Sequence, residues 1–128
     1  EIRRVQRMGV RGIASHHDFD ATPDDRILRM LMEQMQQGGA DVAKLAVMPQ
    51  SADDVVRLLK LTNDMKQKYP TLPVVTMSMG ALGVVSRMAG EIFGSCITFG
   101  AVGETSAPGQ IAADKLEDIL SVIHQGLC

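Results

Sequence analysis

The chain has 128 residues, of which 45% are hydrophobic and 22% charged, and its 13 Lys and Arg residues nearly balance 15 Asp and Glu residues. This composition is typical of one globular domain, and a net charge of −2 without a basic block disfavours nucleic-acid binding. No apolar run approaches the roughly 20 residues that span a bilayer, and the first residues lead into no signal-peptide core, so we expect a cytoplasmic protein without a membrane partner.

Four short apolar segments, each followed by a loop and a helical pattern, predict four buried parallel strands. They lie at residues 10–15, 42–47, 74–77 and 96–99, and glycine, proline or polar residues bound each of them. Residues 2–8 resemble the end of a helix that Gly9 terminates. Capping signals and apolar periodicity predict four further helices, at 22–37, 51–69, 82–89 and 112–125. This alternation of strand and helix predicts an α/β fold with a parallel sheet.

Two architectures fit the alternation: an open doubly wound sheet, or part of a (β/α)₈ barrel, which normally takes about 250 residues. Four βα units are half of the eight that close a barrel. In both architectures, ligands bind at the carboxyl ends of the strands. The chemistry of the protein is therefore expected in the residues that the sequence places there.

Cysteine and metal patterns exclude several classes of site. Cys96 lies in an apolar run and is expected in the core, whereas Cys128 is expected to be an exposed thiol, and neither matches a metal or disulfide spacing. The chain contains neither a G-x-G-x-x-G fingerprint nor a Walker motif. We therefore expect no metal and no cofactor.

The first two strands carry a histidine pair and a lysine. His16 and His17 follow the first predicted strand, and at most one of two consecutive side chains can point into a site. Lys44 lies in the middle of the second strand, where burial would lower the pKa of its ammonium group and prepare it as a Schiff-base nucleophile. If that strand is instead at the edge of the sheet, Lys44 extends its amine into solvent.

Further candidates follow the third and fourth strands. Arg87 lies on the predicted short helix, either within reach of an anionic ligand group or on the surface. Met77 and Met79 are expected to be apolar lining or core. Residues 100–110 form a Gly- and Pro-containing loop that is suited to act as a lid, and its Ser106 and Gln110 could bind a hydroxylated ligand.

Six strings of the sequence, in this order along nearly the whole chain, resemble type I 3-dehydroquinate dehydratases. They are HDF (17–19), KLAVMP (44–49), TMSM (76–79), SRMAG (86–90), TFG (98–100) and SAPGQ (106–110). The resemblance implies a (β/α)₈ barrel lyase of the shikimate pathway of aromatic amino acid biosynthesis. Such a hydro-lyase converts the small molecule 3-dehydroquinate to 3-dehydroshikimate through a lysine Schiff base.

The resemblance also implies a role for each matching residue. Lys44 would be the Schiff-base nucleophile and His17 the general acid/base. Arg87 would bind the substrate carboxylate, and Ser106 and Gln110 would hold its hydroxyl groups. The expected lining of the pocket is Met77, Met79 and Phe99.

The resemblance further implies that residues 1–128 are the C-terminal half of a single barrel domain whose N-terminal half, with the acid that orients the histidine, is absent. We therefore expect little activity from the isolated chain and expect the protein to be a homodimer. Two alternatives are a non-catalytic half-barrel that self-associates and another Schiff-base barrel enzyme of the class I aldolase kind. An open flavodoxin-like sheet is the alternative fold, and it predicts that Lys44 and His17 lie on different faces.

Overall fold

A three-stranded parallel sheet forms the centre of the computed structural model, which describes residues 1–128. The strands lie in the order β1 (Ile13–Asp18), β2 (Val42–Val47) and β3 (Val74–Ser78). Helix α1 (Ile2–Gln6) precedes β1, and α2 (Asp25–Gln37) and α3 (Ala52–Lys68) connect the three strands. The remaining elements are a 3₁₀ turn (Val84–Arg87), α4 (Gly90–Phe93), β4 (Gly100–Ala101), β5 (Ile111–Ala112) and α5 (Ala113–Leu127). The predicted α/β fold with a parallel sheet is confirmed.

The two faces of the sheet have separate apolar clusters because successive side chains of a strand point to opposite sides. On the face covered by α2 and α3, which we call the helix face, Leu45 and Val47 pack with Leu28 and Leu58. All four side chains are fully buried. The opposite face, which we call the inner face, has a smaller cluster of Ala46, Val75, Met77 and Met79.

One arginine joins the beginnings of the two long helices. The guanidinium of Arg57 donates to the carbonyl oxygens of Thr22 and Pro23 and to the carboxylates of Asp25 and Asp54. The helices are therefore fixed to each other at the carboxyl end of the sheet.

The predicted start of α2 is shifted, because Asp24 is the N-cap residue and its carboxylate accepts the amide hydrogen of Arg26 at 2.9 Å.

The first strand begins and ends three residues later than predicted. The amide of Val10 donates to the carbonyl oxygen of Val5, so the start of the predicted strand closes the end of α1 after Gly9 (φ 81°). Pairing with β2 then extends until Asp18 lies opposite Val47. His16 and His17 therefore lie within β1 and not in the loop that follows it.

The predicted fourth strand at residues 96–99 is wrong. The chain forms one bridge to β3, from Ser95 to Val74, and the amide of Cys96 donates to the Val74 carbonyl at 2.9 Å. The next amide of β3, that of Thr76, donates instead to the Ser95 hydroxyl at 3.0 Å, and this side-chain bond ends the ladder. Cys96 is consequently exposed and not in the core, and β4 pairs with β5 instead.

The predicted helix at 82–89 is also wrong in kind, since a 3₁₀ turn and the separate short helix α4 replace it. The 3₁₀ turn lies against the end of β3, where the hydroxyl of Ser86 accepts the amide hydrogen of Ser78 at 2.9 Å. This contact places Arg87 directly beside the sheet. None of the helices combines the length and the apolar character needed to cross a bilayer.

Candidate active site

The register of the sheet brings Lys44 and His17 to the inner face. Lys44 lies opposite Ser15, and His17 lies opposite Ala46, two residues further along β2. With strands about 4.8 Å apart and a rise of about 3.3 Å per residue, the Cα atoms of Lys44 and His17 are roughly 8 Å apart. This contradicts the flavodoxin-like alternative, which separated the two residues.

The two histidines point to opposite sides of β1, as expected. His16 is half-buried and borders a cavity of about 520 Å³ together with Ile2, Leu31 and Met35. His17 is exposed on the inner face, where its ring stacks with that of Phe19 at a centroid distance of 6.0 Å. Of the two, only His17 is placed to act with Lys44.

Lys44 is on the central strand of the sheet, so the alternative that placed it on an edge strand is wrong. Its side chain is half-buried, and its Nζ lies over the ring of Phe99, 4.7 Å from the centroid. No carboxylate forms an ion pair with this amine. The amine is therefore oriented by an aromatic face and remains available for reaction.

Arg87 is almost completely buried, with 2% of its surface exposed, so the surface-helix alternative is wrong. Its Nη2 donates to the carbonyl oxygen of Pro108 at 2.9 Å, and its Nη1 points to the sulfur of Met77 at 3.8 Å. The Nε hydrogen has no partner, and desolvation by burial lowers the pKa of the guanidinium. Arg87 is thus a buried cation that has N–H groups without a hydrogen-bond acceptor and no carboxylate partner. Such a group is suited to bind an anionic part of a ligand.

The loop at residues 100–110 places Ser106 and Gln110 next to each other. The amide of Ser106 donates to the Gln110 side-chain oxygen at 2.8 Å, and the Gln110 Nε2 donates to the Ser106 hydroxyl at 2.9 Å. In this arrangement the two side chains bind each other. A ligand hydroxyl group would have to replace one of these bonds.

The apolar wall beside these groups consists of Met77 and Met79, which are 6% and 1% exposed. Both belong to the buried apolar cluster of the inner face. The rest of the inner face is open, since Ser15 and His17 are exposed.

Two features near the site lay outside the sequence prediction. Phe19 stacks on His17, a contact that i, i+2 spacing on a strand would have indicated had the strand been placed correctly. Pro108 belongs to the SAPGQ string, but nothing in the sequence indicates that its carbonyl oxygen accepts a hydrogen bond from Arg87. Asp18 ends β1, and its carboxylate accepts the amide hydrogens of Asp20 and Ala21, which lower its pKa.

A possible metal site is absent from the geometry, because no three His, Cys, Asp or Glu side chains converge in an arrangement that could hold an ion. The chemistry available at the inner face is that of an amine, an imidazole and a guanidinium. These groups suit imine formation, proton transfer and the binding of an anion.

Comparison with known proteins connects this geometry to one family. The family model described as type I 3-dehydroquinase matches residues 1–127. The 3-dehydroquinate dehydratase of Clostridium novyi is 48% identical over 118 residues, which are 92% of this chain and 47% of that protein. The 3-dehydroquinate dehydratase of Klebsiella pneumoniae is 51% identical over 115 residues, which are 90% of this chain and 46% of that protein.

Solved structures agree with the sequence relatives. The 3-dehydroquinate dehydratase of Geobacillus kaustophilus has a TM-score of 0.92 at 40% identity and covers 97% of this chain. The type I enzyme of Clostridium difficile, solved with covalently modified comenic acid, has a TM-score of 0.90 at 44% identity and covers 98% of this chain. This chain covers 48% and 49% of those two structures, so it spans about half the length of the relatives it matches. By sequence and by fold, the chain belongs to the type I 3-dehydroquinase family.

Proposed function

We propose that this chain carries the nucleophile and the acid/base of a type I 3-dehydroquinate dehydratase, a Schiff-base hydro-lyase that acts on 3-dehydroquinate. The observation that carries the proposal is the register that sets Lys44 and His17 on one face of the sheet. The names of the relatives supply the substrate and the overall reaction.

In the proposed reaction the unprotonated amine of Lys44 attacks the ketone carbon of 3-dehydroquinate, and water leaves to give an imine. The protonated imine withdraws electrons from the adjacent C–H bond, so an imidazole can remove that proton near neutral pH. His17 takes the proton and then delivers one to the hydroxyl group that leaves from the next carbon as water. Hydrolysis of the imine restores Lys44, and the net change is the loss of one water.

The remaining groups fit the functional groups of the substrate. The unpartnered N–H groups of Arg87 suit the substrate carboxylate, and Ser106 and Gln110 suit the substrate hydroxyl groups. Met77, Met79 and Phe99 would form the apolar lining, and Phe99 would also hold the Lys44 amine in place. Covalently modified comenic acid in the Clostridium difficile relative is compatible with a covalent mechanism.

We further propose that residues 1–128 act as half of a single (β/α)₈ barrel in a cytoplasmic homodimer, and that the other half of the family's length completes the site. The exposed inner face of β1 supports the half-barrel, since Ile13 is 58% exposed and no carboxylate forms an ion pair with His17. Without an orienting carboxylate and the opposite wall of the pocket, the isolated chain should turn over little substrate.

Borohydride trapping tests the proposal. The chain is co-expressed with the half of the Klebsiella pneumoniae relative that it does not match, and the complex is treated with 3-dehydroquinate and sodium borohydride. Mass spectrometry should find a reduced adduct on Lys44 and none on Lys60, an exposed lysine that serves as the internal control. The Lys44→Arg variant should form no adduct.

His17→Gln separates the two chemical roles. This variant should still form the adduct but lose dehydration by about 10²- to 10⁴-fold, the usual contribution of a general acid/base. An adduct with sugar phosphates but not with 3-dehydroquinate would favour an aldolase-like enzyme. Absence of any adduct on Lys44 in an active complex would refute the assignment of the nucleophile.

A further inference from the structure

A single backbone carbonyl joins the loop at residues 100–110 to the candidate anion site. The carbonyl oxygen of Pro108 accepts the amide hydrogen of Gly80 at 3.1 Å and a hydrogen from Nη2 of Arg87 at 2.9 Å. Gly80 follows the end of β3, and Arg87 ends the 3₁₀ turn that comes after it. The loop and the guanidinium therefore share one fixed point at the carboxyl end of the sheet.

Contact at this point depends on the absence of a side chain at Gly109. A Cβ atom built there would lie 2.4 Å from the carbonyl oxygen of Gly80 and 2.8 Å from its nitrogen. Both neighbours are backbone atoms that the end of β3 holds in place, so they cannot move aside as a flexible side chain would. Any residue with a Cβ would force the loop away from Gly80 and move the Pro108 carbonyl with it.

The partner of Arg87 at this point is an uncharged carbonyl group, and this determines the charge of the site. A carboxylate at the position of the Pro108 oxygen would neutralise Arg87, whereas a carbonyl orients the planar guanidinium and leaves its positive charge unbalanced. With Nη2 held by Pro108 and Nη1 directed to Met77, the direction of the unpartnered Nε hydrogen is also set. An arriving carboxylate would meet donors that are already ordered, which reduces the entropic cost of binding.

We infer that Pro108 and Gly109 are positioning residues for Arg87: close packing of Gly109 on Gly80 seats the Pro108 carbonyl, which orients the guanidinium for the substrate carboxylate. The assignment of the carboxylate as ligand rests on the proposed function. The packing of the loop and the orientation of Arg87 stand on the contacts themselves.

Two glycine substitutions in the same loop form a matched test. Gly109 and Gly103 both have a positive φ, +80° and +79°, so alanine introduces the same backbone strain at either site. A Cβ at Gly103 meets nothing within 4 Å, whereas one at Gly109 meets the Gly80 backbone. The difference between Gly109→Ala and Gly103→Ala therefore measures the close approach and not the conformational strain.

The first measurement uses the chain itself. Hydrogen exchange followed by NMR should show the Gly80 amide and the Arg87 Nη2 hydrogens exchanging about 10- to 100-fold faster in Gly109→Ala than in Gly103→Ala, as expected for an overpacked contact. Equal exchange in the two variants would overturn the inference, whatever the enzyme's substrate is.

The second measurement adds 3-dehydroquinate to the complemented complex, that is, the chain co-expressed with the unmatched half of the Klebsiella pneumoniae relative. Gly109→Ala should raise KM by about 10-fold or more with a smaller change in kcat, because oriented donors act on bound substrate and transition state alike. Gly103→Ala should remain close to the unmodified protein. Faster exchange without a rise in KM would refute the positioning role. If the unmodified complex has no dehydratase activity, the proposed function is refuted, and the exchange measurement alone then tests the loop contact.

Discussion

Replacement of Arg87 by methionine should stabilise the fold while it removes the candidate anion site. Arg87 is 2% exposed, its Nε has no partner, and no carboxylate neutralises it, so folding desolvates a charge with little compensation. The Arg87→Met side chain is unbranched and apolar and can occupy similar space beside Met77. A group that is kept at a cost to stability is expected at a binding site.

The magnitude follows from three contributions. The substitution relieves an unsatisfied donor, about 1–3 kcal/mol, together with about 2 kcal/mol of the cost of desolvating the charge. It removes the bond from Nη2 to Pro108, about 1.5–3 kcal/mol for a charged donor, but the Pro108 oxygen keeps the Gly80 amide. The expected net change is an increase of about 1–3 kcal/mol in the free energy of unfolding, or about 3–15 °C in Tm for a chain of this size.

Arg57→Met is the matched control, because the same change is made at an arginine whose donors are used. Arg57 is 29% exposed on its side chain and donates four hydrogen bonds, two of them to carboxylates. Its loss should lower the free energy of unfolding by about 1–3 kcal/mol, with the ionic part reduced by solvent. The two variants should therefore shift Tm in opposite directions.

Thermal melts followed by circular dichroism at pH 7 measure both variants, and isothermal titration of 3-dehydroquinate to the complemented complex measures binding. If Arg87→Met lowers Tm as much as Arg57→Met does, the guanidinium is a structural group and the reasoning fails. If Arg87→Met raises Tm but leaves binding unchanged, Arg87 does not hold the substrate carboxylate.

Three further predictions concern the fold and the assembly. Leu45→Ala should cost about 3–5 kcal/mol in urea unfolding because Leu45 is fully buried on the central strand, whereas Leu82→Ala, at a position 55% exposed, should cost less than about 0.5 kcal/mol. Asp41 accepts hydrogens from Gln6 and Gly12, which lower its pKa, so its stabilisation is present above the ordinary carboxyl pKa and is lost as the pH falls through the lowered value. Asp41→Asn should therefore lower Tm at pH 7 and reduce the further fall of Tm below about pH 4; an unchanged acid profile would contradict this assignment. If the chain is instead a half-barrel that self-associates, light scattering should give the mass of a dimer, since the inner face of β1 is uncovered, and a stable monomer would contradict that alternative.

Local patterns in the sequence were sufficient for much of the fold. The long helices α2 and α3 and the strands β2 and β3 were predicted within a few residues, because apolar periodicity, capping residues and proline act over short distances. The opposite directions of His16 and His17 likewise follow from the period of a strand. The first strand was displaced because pairing with β2, and not its own composition, determined where it began and ended.

Motif order in the sequence determined the family and the candidate site residues, but only the tertiary structure decided how those residues are placed relative to one another. The sequence left Lys44 on either a central or an edge strand, and Arg87 either buried or on the surface. Strand order settled the first and packing against Pro108 settled the second. Tertiary contacts also explain why the Ser95 hydroxyl replaces the predicted fourth strand and why Gly109 packs against Gly80. Each depends on groups about 20 or more residues apart, and such contacts are governed by the folded arrangement of the whole chain and not by the periodicity of any one segment.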